Sequence, residues 1–154
     1  MGSSGGGGWS TLGDIRSLEE KAKAALQGAK RNVFISFATE NMDEVNLLRA
    51  QAKNDNNDIE FNDHSVREPY DSERAEYIKQ KISERINRAS VTVVYLSNDA
   101  TRSQWVQWEV ERSLQLGKRV IAVHAGEKFT GKIPDWLGGK AKIVPWAQLS
   151  SELK

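Results

Sequence analysis

Trp105 and Glu109 stand four residues apart in the run Ser103-Gln104-Trp105-Val106-Gln107-Trp108-Glu109-Val110-Glu111, a spacing that on a helix puts indole and carboxylate on one face. A carboxylate beside an aromatic wall suits a sugar. The same spacing also admits a plainer reading, in which Trp105 and Trp108 are packing and Glu109 pairs with Arg112 three positions on. Spacing alone favours the plainer reading.

Other chemistries lack the atoms they need. The two histidines, His64 and His124, lie far apart and neither has a second ligand at metal spacing, so no metal site is expected. Without cysteine there is no thiolate nucleophile, cysteine metal site or disulfide frame. The first apolar run ends in Ser36-Phe37-Ala38-Thr39-Glu40-Asn41, which is neither a Gly-rich phosphate loop nor a convincing flavin-phosphate loop. A receiver domain would carry its phospho-accepting aspartate after the third strand, where this chain has Leu96-Ser97-Asn98.

The elements that must position Glu109 follow from hydrophobic periodicity. Asn32 to Phe37 reads as a strand covered on both faces. Asn41 is a plausible N-cap, with Glu44 three residues on, for a helix whose buried stripe is Met42, Val45, Leu48 and Ala52 and which ends at Asn54 to Asn57. Asp58 to Phe61 suits an edge strand, and a polar loop runs from Asn62 to Pro69. Asp71 or Ser72 would cap a helix with Ala75, Ile78, Ile82, Ile86 and Ala89 on one face. Val91 to Leu96 is a third strand, followed by a loop over Ser97 to Arg102 and a helix over Gln104 to Leu116 that Gly117 closes. Arg119 to His124 and Ala141 to Val144 are the last strands, before a helix around Ala147 to Leu153.

This alternation calls for a flavodoxin-like three-layer α/β sandwich: a five-stranded parallel sheet, order 2-1-3-4-5, with helices on both faces. Ligands then bind beyond the carboxyl ends of strands 1 and 3, so the loops after Phe37, Phe61 and Leu96 are the place to search. Residues 1–10 read as a Gly/Ser-rich tail, 11–30 as an amphipathic helix and 31–154 as the domain.

The 154 residues suffice for one domain of this kind. The 22 basic and 21 acidic residues are interspersed, leaving a net charge of +1 and no positive field for nucleic acid. No run approaches the roughly 20 apolar residues that cross a bilayer, and the N-terminus has no secretory pattern. A cytoplasmic protein with neither nucleic acid nor membrane as partner is expected.

Asn32-Val33-Phe34-Ile35-Ser36-Phe37 resembles the first strand of TIR domains, and Trp105 to Glu109 resembles their W-x-x-x-E helix. The match, over about residues 31–124, is most similar to the bacterial TIR-like group that includes the signalling subunits of Thoeris anti-phage systems, notably in Asp58 to Pro69 and Ser103 to Gly117. Catalytic members use a glutamate matching Glu109 to cleave the nicotinamide–ribose bond of NAD. The resemblance therefore implies NAD as substrate rather than as cofactor, and a product derived from ADP-ribose, linear, cyclic or conjugated, that serves as a signal to a partner effector.

Nicotinamide leaves a cationic pyridinium as a neutral ring, so no general acid is needed and one carboxylate suffices to stabilise an oxocarbenium-like ribose. Trp105 would wall the sugar, Ser36 and Phe37 would line the pocket, and Asn62 and Asp63 would border it. The loop from Asn62 to Asp71 matches the family's assembly loop, with Arg67 and Glu68 as contacts for a neighbouring protomer or as ordinary surface charge. Two rivals remain: a noncatalytic interaction module, for which Glu109 is dispensable, and a nucleoside deoxyribosyltransferase-like enzyme, whose glutamate would form a covalent sugar adduct.

Overall fold

The computed structural model describes residues 18, 31–55, 59–63 and 69–153, of which those from 31 onward belong to one compact unit, Arg31–Lys154. The tail and first helix expected over 1–30 lie, Leu18 apart, outside the described residues. Strands β1 (Arg31–Ser36), β2 (Ile59–Asn62), β3 (Val91–Tyr95), β4 (Arg119–His124) and β5 (Lys142–Pro145) form one sheet in the order β2-β1-β3-β4-β5. Every neighbouring pair is parallel, which is the expected order. The helices are α1 (Met42–Asp55), α2 (Ala75–Arg88), α3 (Asn98–Thr101), α4 (Gln104–Gln115) and α5 (Leu149–Glu152), with 3-10 turns at Thr39–Asn41 and Trp146–Gln148.

Alternation along the strands assigns each side chain to a layer. Val33, Ile35 and Phe37 pack with Val45 and Ala52 of α1 and with Trp146, Leu149 and Leu153 near the C-terminus. Phe34 turns the other way, onto Ala75, Ile78, Ile82 and Ile86 of α2 and Trp105 of α4. Val94, Leu96, Val120 and Ala122 meet Val106 and Val110 of α4 on that same second face. Side chains such as Phe34 and Ile82, with no exposed surface, each contribute about 1.5–3 kcal/mol by leaving water. The second face fixes α4 and hence Glu109.

Three local expectations are corrected. Asn41 lies inside the 3-10 turn rather than capping α1. Neither Asp71 nor Ser72 caps α2: Arg74 holds that position with no side-chain bond, because Pro69 starts successive turns in which Ser72 N–H donates to Pro69 O at 3.0 Å and Ala75 N–H to Ser72 O at 3.1 Å. The loop after β3 contains α3, capped by Ser97, whose hydroxyl accepts from Ala100 N–H at 3.0 Å. Gly117 does follow α4 with φ +74°, the left-handed conformation that closes a helix.

Candidate functional site

The chain runs from β1 toward one sheet edge and from β3 toward the other, so the segments leaving their carboxyl ends part and leave a crevice. Two side chains tie them: Ser97 donates to Asn41 Oδ1 at 2.6 Å, and Asn41 Nδ2 donates to Asp99 Oδ2 at 3.4 Å. Between them lies a cleft of about 450 Å³, within the range of small-molecule sites. Thr39 and Glu40 line it from the β1 side, Asp99, Arg102 and Ser103 from the β3 side, and Pro69 and Trp105 close it. Arg102, 72% exposed, lies 3.4 Å from Asp99.

α4, whose first turn lines this cleft, carries a carboxylate into the interior. Ser103 starts the helix, its hydroxyl accepting from Val106 N–H at 3.2 Å. Two residues on, Trp105 is 7% exposed; one turn further, Glu109 has no exposed surface. The hydroxyl of Ser36, at the end of β1 and 73 positions earlier, donates to Glu109 Oε1 at 2.5 Å. Such a donor offsets part of the cost of keeping a carboxylate out of water. A second chain fixes the backbone of the same turn. Ser113 Oγ donates to the Glu109 carbonyl at 2.7 Å, which leaves the 2.8 Å contact between Thr92 and Ser113 to be donated by Thr92. Thr92 lies on β3, so both central strands hold the position of Glu109.

Glu109, Ser36 and Trp105 are thus brought together. Phe37 is buried in the α1-side core, opposite to Ser36, and does not line the cleft. Asn62 and Asp63 also stand apart from its lining: Arg85 donates to Asn62 Oδ1 at 3.3 Å and to the Asp63 carbonyl, and Arg49 lies 3.5 Å from the Asp63 carboxylate. Arg67 and Glu68 lie outside the described residues. Arg112, the alternative partner of Glu109, directs its guanidinium to Ser83 Oγ at 3.1 Å and Gln115 Oε1 at 3.0 Å. Sequence reasoning reached the loops after β1 and β3 but did not single out Thr39, Glu40, Asp99, Arg102 or Ser103. Ser103 carried a signal, as a polar capping residue at the start of α4.

Among the described residues no group of three histidine or acidic side chains could hold a metal ion, and no helix is long and apolar enough to cross a membrane. Residues 34–129 match the family model described as Thoeris protein ThsB, TIR-like domain. No curated protein matches the chain.

Proposed function

This chain belongs to the Thoeris ThsB TIR-like domain family, and from that premise we propose that it is an NAD-processing signalling protein of anti-phage defence. The supporting observation is the 2.5 Å hydrogen bond that fastens the Glu109 carboxylate to the end of β1, on the helix whose first turn lines the cleft through Ser103 and Trp105. In this reading the bond between the nicotinamide nitrogen and ribose C1′ breaks, the electron pair leaving with nicotinamide. The positive charge that grows on C1′ and the ring oxygen is stabilised by Glu109. Ser36 holds the carboxylate in one orientation, and Trp105 walls the sugar.

The cation is captured by water or by a hydroxyl group, which gives up its proton; which nucleophile reaches it sets whether the ADP-ribose product is linear or cyclic. That product serves as a diffusible signal for a partner effector. Glu109 is sealed here, so turnover requires the Trp105 wall to move, and activity depends on a trigger. Self-association through the loop from Asn62 to Asp71 is the route by which protomers would cooperate.

The complete burial of Glu109 favours a second reading, a noncatalytic interaction module in which this carboxylate is structural. Concentrated parent protein and Glu109→Gln, with NAD and with phage-infected lysate as activator, separate the two when nucleotides are followed by mass. Glutamine still accepts the Ser36 hydrogen bond. Nicotinamide release by the parent that falls by about 10²–10³ in the variant is expected from loss of one preorganised electrostatic contact. Equal turnover in both would end the catalytic reading of Glu109.

A further inference from the structure

Trp105 is the cleft-lining side chain one turn before Glu109 on α4. Helical side chains lean toward the N-terminus of their helix, so Glu109 leans under the turn that carries Trp105. Trp105 lines the cleft, whereas Glu109 does not and has no exposed surface. A stack of aromatic edges fixes the indole. Tyr70, in the turns before α2, meets it edge-on with ring centroids 5.1 Å apart, and Trp108 meets it at 6.3 Å.

Lys79 of α2 completes the stack. Its Nζ lies 4.4 Å from the centroid of Tyr70 and 5.8 Å from that of Trp108. The side chain is only 19% exposed, low for a lysine. The Glu76 carboxylate stands 3.5 Å away on a side chain that is 88% exposed, a geometry of little energetic weight. The two ring faces therefore account for where the ammonium sits.

We propose that Lys79 is a positioning residue for the cleft: its ammonium, shared between Tyr70 and Trp108, holds Tyr70 edge-on against Trp105 and so keeps the indole closed over Glu109. Opening requires Tyr70 to leave Trp105, and the cation over its ring opposes that movement. The inference rests on the reading of Glu109 as the reacting carboxylate, yet its test reads accessibility, so it stands or falls whether or not NAD is cleaved.

Parent, Lys79→Met, Lys79→Arg, Tyr70→Leu and Glu76→Gln proteins are labelled under native conditions with a water-soluble carbodiimide and glycine ethyl ester. Modification of each carboxylate is followed by peptide mass analysis. Glu109 should label about five- to tenfold faster in Lys79→Met, as loss of a cation–π contact shifts the opening equilibrium. Tyr70→Leu should behave alike, and decides the matter if Lys79→Met fails to fold. Lys79→Arg, which keeps a cation over the rings, and Glu76→Gln should remain at the parental rate, with Glu152 labelling equally throughout. Parental labelling of Glu109 in both Lys79→Met and Tyr70→Leu, or faster labelling that arginine does not reverse, overturns the proposal.

Discussion

Replacing Ser36 by alanine removes one oxygen and tests how Glu109 is held. Donor and acceptor have no exposed surface, and their 2.5 Å separation falls in the range of about 2.5–2.7 Å typical of hydroxyl donors to carboxylates. Hydrogen bonds to charged groups contribute about 1.5–3 kcal/mol, against about 0.5–1.5 kcal/mol for neutral pairs. Ser36→Ala should therefore lower the unfolding free energy at neutral pH by about 2–3 kcal/mol, or roughly 5–10 °C in Tm for a domain of this size. Glu109→Gln keeps an acceptor but makes the pair neutral, so in that background Ser36→Ala should cost only about 1 kcal/mol. Urea unfolding of the four proteins, followed by circular dichroism, gives the coupling as the difference, about 1–2 kcal/mol. The same cost for Ser36→Ala in both backgrounds would refute a charge-assisted tether.

Two further outcomes follow from the same geometry. Burial, reinforced by the Glu44 carboxylate that accepts its hydroxyl at 2.6 Å, holds the Tyr95 phenol well above its ordinary value of 10.0. The folded pKa being the higher, the stability this group contributes is complete below pH 10 and declines above it, as the unfolded chain alone releases the proton. Tyr95→Phe should cost about 1 kcal/mol near neutrality and flatten the alkaline decline in denaturant midpoint; an unchanged slope would count against the Tyr95–Glu44 pair. Arg102 is the one cation among the described residues lining the cleft, so on the proposed NAD-processing reading Arg102→Ala should raise KM for a dinucleotide about five- to tenfold with kcat nearly unchanged, through a lost phosphate contact. Steady-state kinetics on the triggered protein checks this, and an equal fall in kcat would place Arg102 in the chemistry instead.

The fold was legible because most elements are long enough to show their period. The continuous apolar run within Arg119 to His124 predicts β4 at its observed limits, and the stripe Ala75, Ile78, Ile82, Ile86 is buried as its spacing requires. Four residues cannot show a period of 3.6, so α3 reads as loop in the sequence; its only signal is Ser97 as a cap. In the site, strand parity could have separated two residues that were grouped together. Ser36 and Phe37 are neighbours in an extended segment and must face opposite layers, so one reaches Glu109 while the other enters the α1-side core. The lining from Thr39, Glu40, Asp99 and Arg102 escaped because side-chain direction in turns follows no periodicity. The aromatic stack with Lys79 escaped because α2, α4 and the turns between Pro69 and Ala75 meet only in three dimensions.

The distribution of polar groups argues that this arrangement is more than packing. The face of α4 turned to the sheet is apolar at Val106 and Val110, yet Glu109 and Ser113 are buried within it and meet Ser36 and Thr92 from the two central strands. For stability alone, apolar side chains of similar volume would serve at least as well, since a buried charge seldom recovers its desolvation cost in full. The costs also cluster at one point, the carboxyl ends of β1 and β3, where the topology itself opens a crevice. Local violations of packing rules that converge on such a point are where function is expected. The three bonds within this group divide the work: the Thr92–Ser113 chain fixes the backbone of Glu109, while Ser36 alone among the four side chains fixes its carboxylate. On the proposed NAD-processing reading, Thr92→Val should thus lower stability by about 1 kcal/mol while leaving triggered turnover nearly intact, whereas Ser36→Ala should depress turnover beyond what its stability loss explains. A parallel fall of stability and turnover in both variants would mean that the group serves the fold alone.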